Sequence, residues 1–249
     1  EGTKTSKGRA VQNLINIEPG DTVRAIINVK NLEDEQYINN NFVILCTEKG
    51  TIKKTSLEAY SRPRQGGINA ISIQDGDRLL NASLTNGSNH IIIAKSEGKA
   101  VHFNERDVRP MGRTTTGVRA VTLESENDKV IGMVCINRED ANLLVVSENG
   151  YGKRSLIDDY RITKRGGKGV KTLNITDKTG KLVAIKEVVD DDELMIINRS
   201  GITIRIKVSE LRIMGRATQG VRLIKLSEDD RISSVEKIQK IDRIDQEQP

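Results

Sequence analysis

Hydrophobic positions along this chain come in short unbroken runs. Each run ends in a polar triplet and a glycine and is followed by a stretch in which apolar and polar residues alternate. The first clear copy is Val43-Ile-Leu-Cys-Thr-Glu-Lys-Gly50-Thr-Ile-Lys-Lys54. It returns from Ile91 to His102 around Gly98, from Leu143 to Arg154 around Gly150, and from Leu194 to Arg205 around Gly201. These glycines lie 48, 52 and 51 residues apart. An apolar run, a glycine turn and an alternating run together predict a β-hairpin whose turn takes positive φ.

A second glycine follows 17, 19, 19 and 19 residues later, at Gly67, Gly117, Gly169 and Gly220. After it the pattern predicts a further strand (as in Gly169 to Ile175), an acidic turn, and a fourth strand such as Arg78–Leu84 or Lys129–Ile136. Four strands in about fifty residues make one blade of a propeller-like ring. The fold class is therefore all-β. The predicted division is 37–90, 91–142, 143–193 and 194–238 as blades, preceded by 1–36 as the second half of a blade plus a polar loop (Asn31 to Asn41), and followed by a charged tail, 239–249.

Composition supports strands. The chain has 30 Ile and 19 Val against 17 Leu, so β-branched residues dominate its apolar set. Four Tyr, two Phe and no Trp leave too few aromatic faces for a base-stacking single-strand binder. Cys46 and Cys135 sit in apolar runs and are expected as buried small side chains. With only His90 and His102, a His/Cys zinc site is close to excluded. No apolar run is long enough for a bilayer, and no signal-peptide pattern or initiating Met is present. The chain is expected to be a piece of a longer cytosolic protein.

Charge changes the picture more than composition does. The total is only +5, but between each hairpin glycine and its second glycine the net charge is +3, +2, +4 and +3. That is +12 over 78 residues, which leaves −7 on the other 171. A solvated rim would not segregate its charge by repeat phase in all four copies. Equivalent blades would place these segments on one edge of the ring, as a basic track for a polyanion.

The sharpest motif inside that phase is Lys164-Arg-Gly-Gly-Lys-Gly169. Its glycines let the main chain come close to a phosphate, and Lys164, Arg165 and Lys168 supply charge. It lacks the GxxxxGK spacing and following Ser/Thr of a nucleotide-binding loop. The segment resembles the Gln-basic-Arg-Gly-Gly-basic-Gly box of the C-terminal domain of the DNA gyrase A subunit, with Thr163 where the box has Gln. Arg62 to Gly67, Val108 to Arg119, Gly150 to Arg154 and Ile213 to Val221 are similar to the family's supporting phrases, so the resemblance runs through the whole chain.

The resemblance implies a β-pinwheel with duplex DNA bent and wrapped around its outer basic edge, without sequence specificity, in the service of negative supercoiling. It also implies partners, namely the rest of the gyrase A polypeptide together with the gyrase B polypeptide. The domain would be no enzyme by itself and would hold no cofactor, since ATP and Mg are used elsewhere in the full enzyme. It further implies a bacterial, cytoplasmic, nucleoid-associated setting with neither membrane nor small-molecule substrate. The DNA-binding candidates, by phase, are Lys53, Lys54, Arg62, Arg64, Lys99, Arg109, Arg113, Lys153, Arg154, Lys164, Arg165, Gly166, Gly167, Lys168, Gly169, Arg205, Lys207, Arg212 and Arg216.

Alternatives are the equivalent DNA-binding domain of topoisomerase IV, a propeller used for protein interaction, and a propeller enzyme. The first shares the fold. The second lacks aromatic hot spots. The third lacks histidines. Tyr37, Tyr60, Tyr151 and Tyr160 are expected to be structural, because the family's DNA-cleaving tyrosine lies upstream. Asp190 to Glu193 reads as an acidic inter-blade turn rather than a calcium loop, and His102 as exposed on a basic strand.

Overall fold

A computed structural model describes residues 7, 8, 10, 13, 15, 17, 18, 20–64 and 66–238. The predicted tail, 239–249, and part of the predicted N-terminal half-blade lie outside them. The strands are β1 (Phe42–Thr47), β2 (Thr51–Ser56), β3 (Leu79–Thr85), β4 (His90–Lys95), β5 (Lys99–Asn104), β6 (Val118–Arg119), β7 (Val130–Ile136) and β8 (Asn142–Ser147). They continue with β9 (Tyr151–Leu156), β10 (Val170–Lys171), β11 (Leu182–Val188), β12 (Glu193–Asn198), β13 (Thr203–Lys207), β14 (Val221–Arg222) and β15 (Ile232–Ile238).

The four hairpins form where the apolar runs and glycines place them: β1–β2, β4–β5, β8–β9 and β12–β13 are antiparallel pairs. Each hairpin is flanked on one side by the long strand of its own repeat, β3, β7, β11 or β15. On the other side the structure departs from the sequence reading. The short strands β6, β10 and β14 leave their own repeat and pair with the hairpin before it, Val118 opposite Ile52, Val170 opposite Ala100 and Val221 opposite Gly152. A sheet therefore draws strands from two consecutive repeats, where the pattern had put four strands of one repeat into one blade.

The second glycine makes this exchange possible. At Gly169, φ is +82° and a Cβ would lie 2.4 Å from the Ala100 carbonyl oxygen, so no other residue lets the chain reach β5 this closely. Hydrogen bonds carry the crossing onward: Thr172 N–H donates to the Gly98 carbonyl at 2.8 Å, as Ala120 does to Gly50 and Leu223 to Gly150.

At the other edge, the long strands pack against one another in the order β3, β7, β11, β15. Val130 N–H donates to Glu48, Leu182 to Ser96 and Ile232 to Glu148, each at 2.9 Å. A polar hollow lined by Glu48, Ser96, Glu148 and Arg199 gathers residues from all four sheets. The sheets thus fan around one axis, with β3, β7, β11 and β15 innermost and β6, β10 and β14 outermost.

Core layers fill the spaces between neighbouring sheets. Ile91 and Ile93 face the first sheet, while Ile92 and Ala94 on the same strand face the third. Burial on both faces is why the hairpin runs are continuously apolar. In the last sheet Leu194 and Ile196 are buried against the third, whereas Met195 and Ile197 are only partly covered. On the far face of the first sheet, Ile27, Val29 and Leu32 pack with Val43 and Leu45. The segment expected as a polar loop contains a short helix, Glu35–Asn40, because Asp34 Oδ1 caps Tyr37 N–H at 3.0 Å.

Candidate nucleic-acid interface

The predicted basic phase lies where sheets exchange strands. After each hairpin the chain makes a short 3₁₀ turn, and after the second, third and fourth it then crosses the outer edge of the preceding sheet. Met111, Thr163 and Met214 N–H donate to the carbonyls of Lys54, His102 and Arg154 at 2.8, 2.7 and 2.8 Å. The glycine-rich loops that follow, 112–117, 164–169 and 215–220, are joined to their predecessors. Ser72 N–H donates to Thr115, Thr122 to Gly167 and Asn174 to Thr218, at 3.2, 3.0 and 3.1 Å. One loop per sheet is therefore held in register along the outer edge.

Arginines brace these loops without losing their charge. Arg165 Nε donates to the Asp107 carbonyl at 3.0 Å and Nη1 to the Arg119 carbonyl at 2.9 Å. Arg216 makes the same two bonds one sheet later, to Asp159 and Lys171, at 3.0 and 2.7 Å. The acceptors are neutral, so each guanidinium keeps its positive charge at the surface. Arg113, in the corresponding place, is half-buried. Arg62, Arg64, Arg109, Lys164, Lys168 and Arg212 are exposed on the same edge segments.

Four of the sequence candidates are corrected by burial. Lys53 and Lys153 are both 0% exposed, and Lys54 and Arg154 are buried beside them. Lys153 Nζ donates to the Gly215 carbonyl at 2.6 Å and Thr218 Oγ1 at 3.1 Å. Lys53 Nζ holds the carbonyls of Ala70 and Arg113. Lys54 stacks on the Phe42 ring at 4.4 Å and faces Glu105, while Arg154 holds the Leu211 carbonyl and Asp190. Alternation along a strand would expose one of each pair, but the edge segment of the next repeat covers that face. Burial pushes the Lys153 ammonium down to about 8, with Asp159 opposing and Arg216 adding to the shift. Burial lowers Lys53 as well. These cations position the loops rather than meet a ligand.

The remaining candidates divide. Lys99 is tied to Glu124 at 2.8 Å, and Arg205 to Glu193. Lys207 is exposed on β13, whose outer edge carries no fourth strand among the described residues. Gly166 takes φ +86° and its N–H donates to the Ala120 carbonyl at 2.6 Å, so it shapes the loop instead of offering a donor. Gly167 has ordinary φ, and a Cβ there would meet nothing nearer than 3.9 Å.

His102 is not exposed, as its basic strand suggested, but buried under the same edge segment. Its Nδ1 donates to the Tyr160 carbonyl at 2.7 Å, and His90 Nδ1 lies 3.0 Å from its Nε2. Burial lowers its pKa. Tyr160 is also buried, bonded to Thr172 at 2.5 Å. In the acidic turn, Asp192 pairs with Arg138 at 2.9 Å and Asp190 with Arg154. Among the described residues, no group of three or more His, Cys, Asp or Glu is placed to hold a metal ion.

Sequence reasoning missed exposed cations on the exchanged strands themselves. Arg119, Lys171 and Arg222 each stand two residues after the second glycine, opposite Thr51, Lys99 and Tyr151. Arg161 is a further exposed cation in the edge segment. The signal was present as Gly-Val-Arg, Gly-Val-Lys and Gly-Val-Arg, just beyond the glycine where the charge phase was closed.

Comparison with known proteins agrees with this arrangement. The chain matches the family described as DNA gyrase C-terminal domain, beta-propeller, over residues 41–86, 90–137, 141–188 and 192–239. It is 40% identical to the DNA gyrase A subunit of Chlamydia pneumoniae and 41% identical to that of Staphylococcus aureus (strain NCTC 8325 / PS 47), over 96% of this chain in both cases. The chain spans only 28% and 26% of those relatives. A solved DNA gyrase A C-terminal domain superposes with a TM-score of 0.81 at 27% identity, covering 93% of this chain and 75% of the other. The C-terminal domain of a DNA topoisomerase IV superposes with a TM-score of 0.84 at 23% identity, covering 93% and 71%.

Proposed function

The chain belongs to the DNA gyrase C-terminal domain family, and from that premise we propose that it binds duplex DNA along the outer edge of its sheets and bends the duplex around them. The observation that carries this reading is the unneutralised cations that recur in the same structural place on successive sheets. They stand on loops held in line by hydrogen bonds between repeats. Such a track matches a polyphosphate backbone and offers few groups that read base edges, so binding is insensitive to sequence.

In the assembled enzyme the domain serves negative supercoiling. It docks no substrate other than DNA and works beside the rest of the gyrase A polypeptide and the gyrase B polypeptide, where ATP and Mg act, in the bacterial cytoplasm. The topoisomerase IV domain has a similar fold, but the 40% and 41% identities are to gyrase proteins and favour gyrase.

Salt titration of binding to duplexes of unrelated sequence tests it. Six phosphate contacts at roughly 0.9 each give a slope of log K against log[salt] near about −5. A flat salt dependence, or tight binding to a single sequence, would contradict the proposal.

A further inference from the structure

One recurring feature is not explained by phosphate binding. Directly before each glycine-rich loop stands an arginine followed by a compact apolar residue: Arg62-Pro63, Arg109-Pro110, Arg161-Ile162 and Arg212-Ile213. All eight residues are exposed, Ile162 by 62% and Ile213 by 50%. Single exposed apolar residues are ordinary on any surface. An exposed apolar side chain at the same phase of every repeat is not scatter: at the phase after the second glycine, by contrast, Ile68, Val118 and Val170 are half-covered and Val221 alone is exposed.

The backbone beneath these pairs is rigid. Pro110 and Ile213 form bridges with Lys54 and Arg154 of the preceding sheet. The next residue in each of the last three copies donates to that sheet at 2.7 to 2.8 Å. The last three pairs therefore stand on the outer edges of the first, second and third sheets, close in sequence to Arg113, Arg165 and Arg216.

We propose that these arginine–apolar pairs enter the minor groove of the duplex wherever it faces the outer edge, and that the apolar member packs against the sugars lining the narrowed groove to hold the bend. The inference rests on the DNA-binding reading above and deepens it. The proline and isoleucine side chains offer no hydrogen bond, so the surface they pack on is itself apolar. In a duplex held by a basic track, apolar surface lies in the grooves and between base pairs, not on the phosphates. Duplex curved toward a protein narrows its inward-facing minor groove, which concentrates negative potential and draws in arginine. Compact apolar side chains packed against the sugars that line this narrowed groove hold it in the curved state, whereas insertion between base pairs would open the groove and kink the duplex toward the major groove.

The test uses this chain and a duplex of about 40 base pairs, short against the ~150 base-pair persistence length, with dyes at its ends. The variant I162A/I213A removes no charge and truncates two surface side chains, so its denaturation midpoint should match the parent. Its salt slope should also match, while end-to-end energy transfer in the complex should fall. In a second arm, using only the parent, saturating the duplex with the minor-groove ligand netropsin should abolish bending and weaken binding. Bending by I162A/I213A equal to the parent's, or parent bending indifferent to netropsin, would overturn the inference and leave the basic track standing. A parent that fails to bind duplex at all would overturn the underlying reading and this one with it.

Discussion

Lys153 and Gly215 are 62 residues apart, and the Lys153 ammonium donates to the Gly215 carbonyl at 2.6 Å from a fully buried position. A cation predicted for the ligand is thus the peg on which the next repeat's loop hangs. The outer edge is built in two tiers, with buried cations holding loops and exposed cations facing outward.

That contact gives a pH signature. The Lys153 pKa is about 8 in the folded chain against an ordinary 10.5, because burial disfavours the charge. Below about pH 8 both folded and unfolded forms carry the proton, and the penalty for burying charge is fully present. Between about pH 8 and 10.5 the folded form releases its proton first, so this residue's contribution to stability rises with pH. K153M, which cannot titrate, should lack that rise. Thermal midpoints of parent and K153M across this window should diverge in the parent's favour as pH increases, and parallel curves would contradict the assignment.

Glycines of the box-like loop should differ sharply. Gly169→Ala meets both a positive φ and the Ala100 carbonyl at 2.4 Å, and should cost well over about 1 kcal/mol in urea denaturation. Gly166→Ala, strained in φ alone, should cost about 1 kcal/mol. Gly167→Ala should be nearly silent, since a methyl there finds open space. A Gly167→Ala variant as damaged as Gly169→Ala would show that the loop is built differently.

How far the sequence carried is clear from these positions. The hairpins, their glycines and the basic phase were legible because each repeats at near-constant spacing. The strand exchange was not, because Val118–Arg119 is too short to show a period and its partner lies in the previous repeat. Burial of Lys53 and Lys153 was equally hidden. Alternation assigns faces to a strand but does not say which faces another segment will cover. Arg119, Lys171 and Arg222 were passed over because the charge phase was cut at the second glycine, one step before the exchanged strand begins.

Substitution of cations should separate the two tiers. The triple variant R119A/K171A/R222A should flatten the salt slope by up to about 2.7, three phosphates at roughly 0.9 each, without loss of fold. K164A/R165A/K168A should flatten it by up to the same amount, about 2.7. R165A also loses two backbone contacts and should lower the denaturation midpoint. K53M should leave the slope unchanged and act on stability alone. Equal slopes for parent and both triple variants would remove these residues from the interface.

Thiol chemistry offers a probe of the core between the first two sheets. Burial pushes the Cys46 and Cys135 thiols up to about 12, and both lie in the same apolar layer. Native chain should resist alkylation by iodoacetamide, and labelling should follow the denaturant unfolding curve. Rapid labelling without denaturant would show that this layer opens locally.

The central claim is that duplex DNA follows the outer edge formed by the exchanged strands and braced loops. Its most direct test is to relax a supercoiled plasmid with a type I topoisomerase in the presence of increasing amounts of this chain, then remove protein and measure linking number. Wrapping traps a shift in linking number that grows with bound protein and disappears in R119A/K171A/R222A. An unchanged linking number at concentrations where every plasmid is bound would contradict it.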